Sequence, residues 1–184
     1  MGGGASVYGT KWQIDMTRSG IEQLLYMMDR AFEADDSWGS WHSFLVNLND
    51  VEDADWLWRP EGGERSIFEI VQHVGECKYV YDNHAFGDGS IHWDKESSVP
   101  SIETTTPRDQ VRRWLEEGQQ RLRSHVAALE DDAELFALRP GNWGTQHETR
   151  WLINTMIQHD LYHAGELNHI RALRQRNDEW GNEP

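Results

Sequence analysis

Apolar residues recur at three- and four-residue steps along four stretches of the chain, and no stretch alternates with a convincing period of two. In the first, Ile21, Leu24, Leu25, Met28 and Phe32 make one face. Asp35, Asp36, Ser37, Trp38 and Gly39 interrupt it, and Trp41, Phe44, Leu45 and Leu48 resume it. This predicts one kinked helix, or two in sequence, ending near Leu48. The second stretch opens with Ser66 and Glu69, a capping-box spacing ahead of an apolar run. Ile67, Ile70, Val71, Val74 and Tyr81 carry its stripe to near Gly87. The third has Thr106 as its expected cap, Pro107 at the first helical position and Asp109 in the first turn. Its stripe is Val111, Leu115, Leu122, Val126 and Leu129. The fourth covers residues 149–174, with Leu152, Met156, Leu167 and Ile170 on one face. Four amphipathic helices in one small domain predict an all-α fold, a four-helix bundle. The connections, of roughly 15 to 20 residues, are longer than an up-down bundle needs. They can carry crossovers or form a mouth over one end. The expected organisation is a flexible leader over 1–16, one domain over 17–175 and a polar tail over 176–184.

The fourth stripe is broken in the middle. His159, His163 and Glu166 follow one another on the apolar face at steps of four and three residues. Burying unpaired imidazoles and a carboxylate costs several kcal/mol, and a metal ion satisfies them together. Two histidines four apart stand one turn above each other and can chelate one ion. Asp160 occupies the position that Glu holds in the His-Glu-x-x-His motif of zinc proteases, so that motif is absent. Asp160 points about 100° away around the helix from His159 and is expected to make an outer or surface hydrogen bond. A third ligand must come from elsewhere among the nine histidines. His73 is the best placed, in the middle of the second helix, with Cys77 one turn further on. His84 lies roughly 16 Å from His73 along that helix, too far to share an ion with it. His42, His92, His125, His147 and His169 are expected to be solvated. Cys77 reads as a small buried hydrophobe, with a sulfur ligand as the alternative. Glu166 reads as the acceptor of a ligand histidine's ring N–H, with direct ligation as the alternative.

Composition narrows the partners. Lys plus Arg is 17 against 32 Asp plus Glu, a net charge of −15. Such a surface repels phosphate backbones and anionic membranes, so neither nucleic acid nor a membrane is an expected partner. No apolar run approaches the ~20 residues needed to span a bilayer. The first residues, Met-Gly-Gly-Gly-Ala-Ser, lack the basic and apolar regions of a signal peptide. The lone Cys77 fits a reducing cytoplasm. The ten tryptophans read mostly as core or helix-edge anchors. Trp58, Trp93 and Trp143 fall in the long connections, where they could line a pocket over the metal.

Taken as a set, these motifs carry a family resemblance. Val71-Gln72-His73-Val74-Gly75-Glu76 on the second helix and Gln158-His159-Asp160-Leu161-Tyr162-His163-Ala164-Gly165-Glu166-Leu167 on the last resemble the DinB/YfiT-like superfamily. The turn from Trp58-Arg59-Pro60 to Gly62-Gly63 and the flanks Arg150-Trp151 and Ile170-Arg171 fit as well, so the resemblance runs from about residue 21 to 173. It implies a four-helix bundle holding a divalent ion through His73, His159 and His163; imidazole ligands suit zinc, nickel, iron or copper, with Zn, Ni or Fe expected. It also implies membership among metal-dependent hydrolases and among transferases or isomerases that use low-molecular-weight thiols such as mycothiol or bacillithiol. Glu166 departs from the Gln that is common there.

Three readings of function follow. The first is a metal enzyme acting on a small molecule by thiol-dependent transfer or metal-assisted hydrolysis, in which the ion lowers the pKa of a bound water or thiol. The second is a non-catalytic metal-binding or stress-response bundle. The third, an HD-type phosphohydrolase prompted by His159-Asp160, ranks last, because Asp178 in the tail has no following helix to hold it. Apolar aromatic helix edges and the resemblance together suggest a homodimer.

Overall fold

A helix begins where something satisfies its first amide groups, and each helix of this chain solves that differently. In the computed structural model, which describes residues 17–33, 42–49, 51–63, 65–92, 99 and 102–176, α1 (Ser19–Phe32) has no cap of its own. Asp132, far along the chain, accepts from Gly20 N at 2.8 Å and Ile21 N at 3.0 Å. α2 (Phe44–Asn49) is short, so the first periodic stretch forms two helices; residues 34–41, which include its interruption, lie outside the described residues. α3 (Ile67–Phe86) starts with the predicted capping box: Ser66 Oγ accepts from Glu69 N, and Glu69 Oε2 accepts from Ser66 N at 2.7 Å. α4 (Arg108–Ala127) starts one residue later than predicted. Pro107 takes the cap position, and Thr106 Oγ1 instead accepts from Glu103 N at 2.9 Å, closing the preceding turn. α5 (Thr149–Gln175) runs for 27 residues and stops at Arg176, whose φ of 57° breaks the helix.

The all-α expectation holds, with one short hairpin beside the helices. After a 3-10 turn over Asp132–Phe136, Leu138–Pro140 (β1) pairs antiparallel with Gln146–Glu148 (β2). Strands of three residues are too short for a two-residue period to show in sequence. The expected leader and all but the first residue of the expected tail lie outside the described residues.

Cross-helix contacts give the direction of each helix. Down α3, Tyr79 donates to Trp114 O, Lys78 to Gln119, and Asp82 accepts from Arg121 and His125, so α3 and α4 run parallel. Cys77 meets His159 while His73 meets His163, so α3 and α5 are antiparallel. Arg18 reaches Ala127 O and Leu129 O while Arg123 pairs with Asp29, so α1 and α4 are antiparallel as well. The order is therefore up, down, down, up for α1, α3, α4 and α5. A parallel neighbour forces a return along the whole bundle: α3 has 20 residues and rises about 30 Å, a distance that ~10 extended residues cover. The connection over residues 87–107 makes that return, which accounts for its length.

The α3–α4 seam shows how closely parallel neighbours approach. A Cβ added to Gly75 would stand 2.0 Å from Trp114 Cζ3, and one added to Gly118 would stand 3.0 Å from Tyr79 Cε2. Each helix offers a glycine to the other's aromatic ring, so ring volume replaces backbone separation. The core falls into two clusters. One gathers Phe44, Ile67, Val71, Val111 and Leu167 around the N-terminal part of α3; the other gathers Ile21, Met28, Val126, Leu152 and Met156 around its C-terminal part. His73 and Cys77 lie where the two meet. Among the described residues, no helix is long and apolar enough to cross a membrane.

Candidate metal centre

The antiparallel crossing of α3 and α5 brings four chemistry-bearing side chains to one place. His73 and Cys77 stand one turn apart on α3; His159 and His163 stand one turn apart on α5. His159 Nε2 is 3.1 Å from His73 Nε2, and Cys77 Sγ is 3.5 Å from His159 Nε2. The ring centroids of the three histidines lie 5.0, 5.1 and 4.4 Å apart, with His73–His159 first and His159–His163 last. Donor atoms of His73, Cys77 and His159 all lie within 4.8 Å of one another, a His-Cys-His cluster compatible with a metal ion. Two nitrogens bound to one tetrahedral zinc stand roughly 3.3 Å apart, close to the 3.1 Å separation of His73 and His159.

Ligation needs neutral rings with a bare nitrogen, and the surroundings favour them. Burial pushes His73 down to about 4, helped by the positive charges of His163 and Arg65. Burial pushes His159 down to about 3, with His163, His73, Lys78 and Arg65 acting in the same direction. His163 is lowered by burial against the opposing pull of Glu166. Its Nδ1 donates to Glu166 Oε2 at 2.7 Å, which leaves Nε2 as the atom free to bind. That is the arrangement in which a carboxylate fixes the tautomer of a ligand histidine. Cys77 is 3 % exposed, and burial pushes its thiol up to about 12. It is the buried small side chain that its place in the stripe suggests, and it also sits against the histidines.

These shifts make stability depend on pH. In the unfolded chain a histidine takes its proton near 6.5, whereas folded His73 and His159 take theirs only near 4 and 3. Between those values the unfolded state binds more protons, so stability rises with pH. Metal-free protein is therefore expected to lose stability as pH falls from about 6.5 toward about 4. Urea unfolding midpoints measured across that range check this: the slope should be shallower in His159→Gln, and an equal slope would remove His159 as a source.

Asp160 corrects the expectation of an outer or surface role. It is 3 % exposed and turns into the bundle, where Lys78 Nζ donates to both carboxylate oxygens at 2.7 and 2.8 Å and to Gln119 Oε1 at 2.8 Å. Lys78 is itself 1 % exposed and lies over the Phe32 ring. The sequence signal for it was a lysine between Cys77 and Tyr79 in an otherwise apolar run.

The remaining histidines stand apart from the centre. His84 is buried and donates from Nε2 to Ile91 O at 2.7 Å. His125 is not merely solvated: its Nδ1 donates at 2.6 Å to Asp82, which has no exposed surface, and its ring stacks on Phe86. His147 stacks on Trp151, His92 packs against His84, and His169 is exposed.

A pocket of about 540 Å³ opens over the centre, lined by Arg65, His73, His159, Tyr162, His163 and Glu166. The expected tryptophan mouth is not what lines it. Trp58 packs against the core, Trp143 meets Tyr81 two turns beyond His73, and Trp93 lies outside the described residues. Arg65 and Tyr162 take that place. Tyr162 was visible inside the His159–His163 motif, whereas nothing in the hydrophobic pattern marks an exposed arginine one residue before a helix cap.

A comparison with curated proteins finds no match. The profile of the DinB superfamily matches residues 38–167, a span that begins after α1 and takes in His73, Cys77, His159, His163 and Glu166. An all-α bundle with histidines meeting across α3 and α5, together with this match over most of its length, shows that the chain belongs to the DinB superfamily.

Proposed function

We propose that this protein holds one divalent ion, of the zinc, nickel or iron kind, through His73, His159 and His163. In this reading it is an enzyme acting on a small molecule by low-molecular-weight-thiol-dependent transfer or by metal-assisted hydrolysis. The observation that supports it is the meeting of three neutral imidazoles from two helices at the floor of an open pocket. Imidazole ligands suit all three metals. A bound ion supplies Lewis acidity and brings a nucleophile's pKa toward neutrality. The side chains do the rest: Glu166 orients the His163 ring, the apolar walls around Met156 and Leu167 keep the rings desolvated, and Tyr162 with Arg65 faces the bound molecule.

The second reading is a non-catalytic metal-binding bundle. It is favoured by the closeness of Cys77 to His73 and His159, because a thiolate in place of His163 would make a more closed site. Against it stands the buried, protonated thiol. Cobalt substitution separates the two. In Cys77→Ser protein loaded with cobalt, a simple thiol, mycothiol or bacillithiol should add a sulfur charge-transfer band in the near ultraviolet. No change with any of the three would remove the basis for thiol transfer and leave hydrolysis or the structural reading.

The proposal includes a homodimer of a protein that binds neither nucleic acid nor membrane and works in the cytoplasm. Tyr26 and Met27 on α1 and Trp151, Leu161 and Leu173 on the neighbouring α5 are exposed apolar side chains, the kind a second copy would cover. Light scattering at high micromolar concentration should give twice the chain mass; a monomer mass would refute it.

A further inference from the structure

Arg65 is out of place in so acidic a chain. Carboxylates outnumber basic side chains 32 to 17, and Arg59, Arg108, Arg113, Arg121 and Arg123 each meet one. Arg65 makes no hydrogen bond or ion pair with any described residue, although it stands at the pocket over the histidines. Glu69, the acid nearest in sequence on α3, is already engaged: one oxygen accepts from Arg59 and the other from Ser66 N. Across the same pocket Tyr162 is 70 % exposed, its ring edge-on to His163 at 4.9 Å between centroids. The positive charge of Arg65 acts on all three histidines, so its field reaches the floor of the pocket. The volume of about 540 Å³ is that of a small-molecule site.

Building on the function proposed above, we infer that the pocket takes a small molecule carrying a carboxylate, which Arg65 holds while the molecule's reacting end lies over the histidines. A guanidinium with no partner among the described residues presents a planar fork that matches a carboxylate. Phosphate shares the fork geometry, but its second negative charge would meet Glu166 in the same pocket and the −15 charge of the chain. A single cation against that background selects a monoanion. Arg65 is thus a specificity-determining residue, placed by the capping box that starts α3 at Ser66.

The test uses two thiols of nearly equal size, 3-mercaptopropionate and 3-mercaptopropionamide, on cobalt-loaded Cys77→Ser protein. The acid is expected to bind about tenfold tighter than the amide, as a charge-assisted pair would give. Arg65→Gln should erase that ratio and Arg65→Lys should keep part of it. Equal affinities in the parent, or an undiminished ratio in Arg65→Gln, would overturn the inference. A charge-transfer band with the amide reports the metal centre separately. If neither thiol produces one, the thiol reading fails, and the carboxylate site is then read without metal. There, propionate should shift the Arg65 Nε–H resonance saturably, the signal being assigned by its loss in Arg65→Gln, and propionamide should not. No saturable shift with propionate, or tighter binding of inorganic phosphate than of propionate, would overturn the carboxylate assignment.

Discussion

His163→Ala is expected to weaken divalent-metal binding by ~100-fold or more, while His125→Ala leaves the affinity unchanged. Disturbing only the partner of a ligand histidine typically costs 10–100-fold, so about tenfold is expected of Glu166→Gln and more of removing the ring. The reason lies in the geometry. Glu166 accepts the His163 Nδ1 proton at 2.7 Å, which leaves Nε2 to bind, on a ring that stands beside those of His73 and His159. His125 spends its Nδ1 on Asp82 on the α3–α4 side of the bundle and serves stability alone. Metal content after dialysis, with purified parent protein expected to hold about one ion per chain, decides the matter. Retention by His163→Ala together with loss in Cys77→Ser would transfer the third position to Cys77. Equal loss in His125→Ala would sink the assignment altogether.

The second large effect belongs to the pair beneath the site. Lys78→Met and Asp160→Asn should each lower unfolding stability by roughly 3–5 kcal/mol, the usual result of breaking a buried pair from one side. Both charges are almost fully buried, and Lys78 is the donor to both Asp160 and Gln119. Removing Asp160's charge strands an ammonium; removing Lys78 strands a carboxylate and leaves Gln119 Oε1 without its donor. Lys78→Met combined with Asp160→Leu should recover much of the loss, because two apolar groups carry no stranded charge. Urea unfolding of the three variants measures this. Losses below ~1 kcal/mol in the single variants would mean that the pair behaves as a solvated surface bridge.

Some of this was legible along the chain because it is local. Ser66 and Glu69 cap α3 within one turn, and α5 keeps a single period from Leu152 to Ile170, so both starts and both faces could be read from spacing. The same period exposed His159, His163 and Glu166, because a polar residue on an apolar stripe contradicts the pattern around it. His73 was found by the same contradiction, and Glu166 lies within one turn of the ring it holds.

What lay beyond local spacing needed the fold. The parallel run of α3 and α4 depends on which face of each helix finds the other, and Gly75 and Trp114 are far apart in sequence. Asp132 caps α1 from more than a hundred residues further along the chain, a bond no window of residues contains. Asp160 looked like a group hydrogen-bonded behind the metal ligands or at the surface because periodicity gives an angle around one helix but not what stands at that angle; Lys78 of α3 stands there. The three-residue strands were too short to show a period. Spacing along the chain was enough for the all-α class, the helix starts at Ser66 and Thr149 and the histidines that interrupt their stripes, since these rest on neighbours within a turn. Helix direction, the burial of Lys78 with Asp160, the closeness of Cys77 to the histidines and the place of Arg65 at the pocket came from the folded chain, because each depends on contacts between residues that lie far apart in sequence.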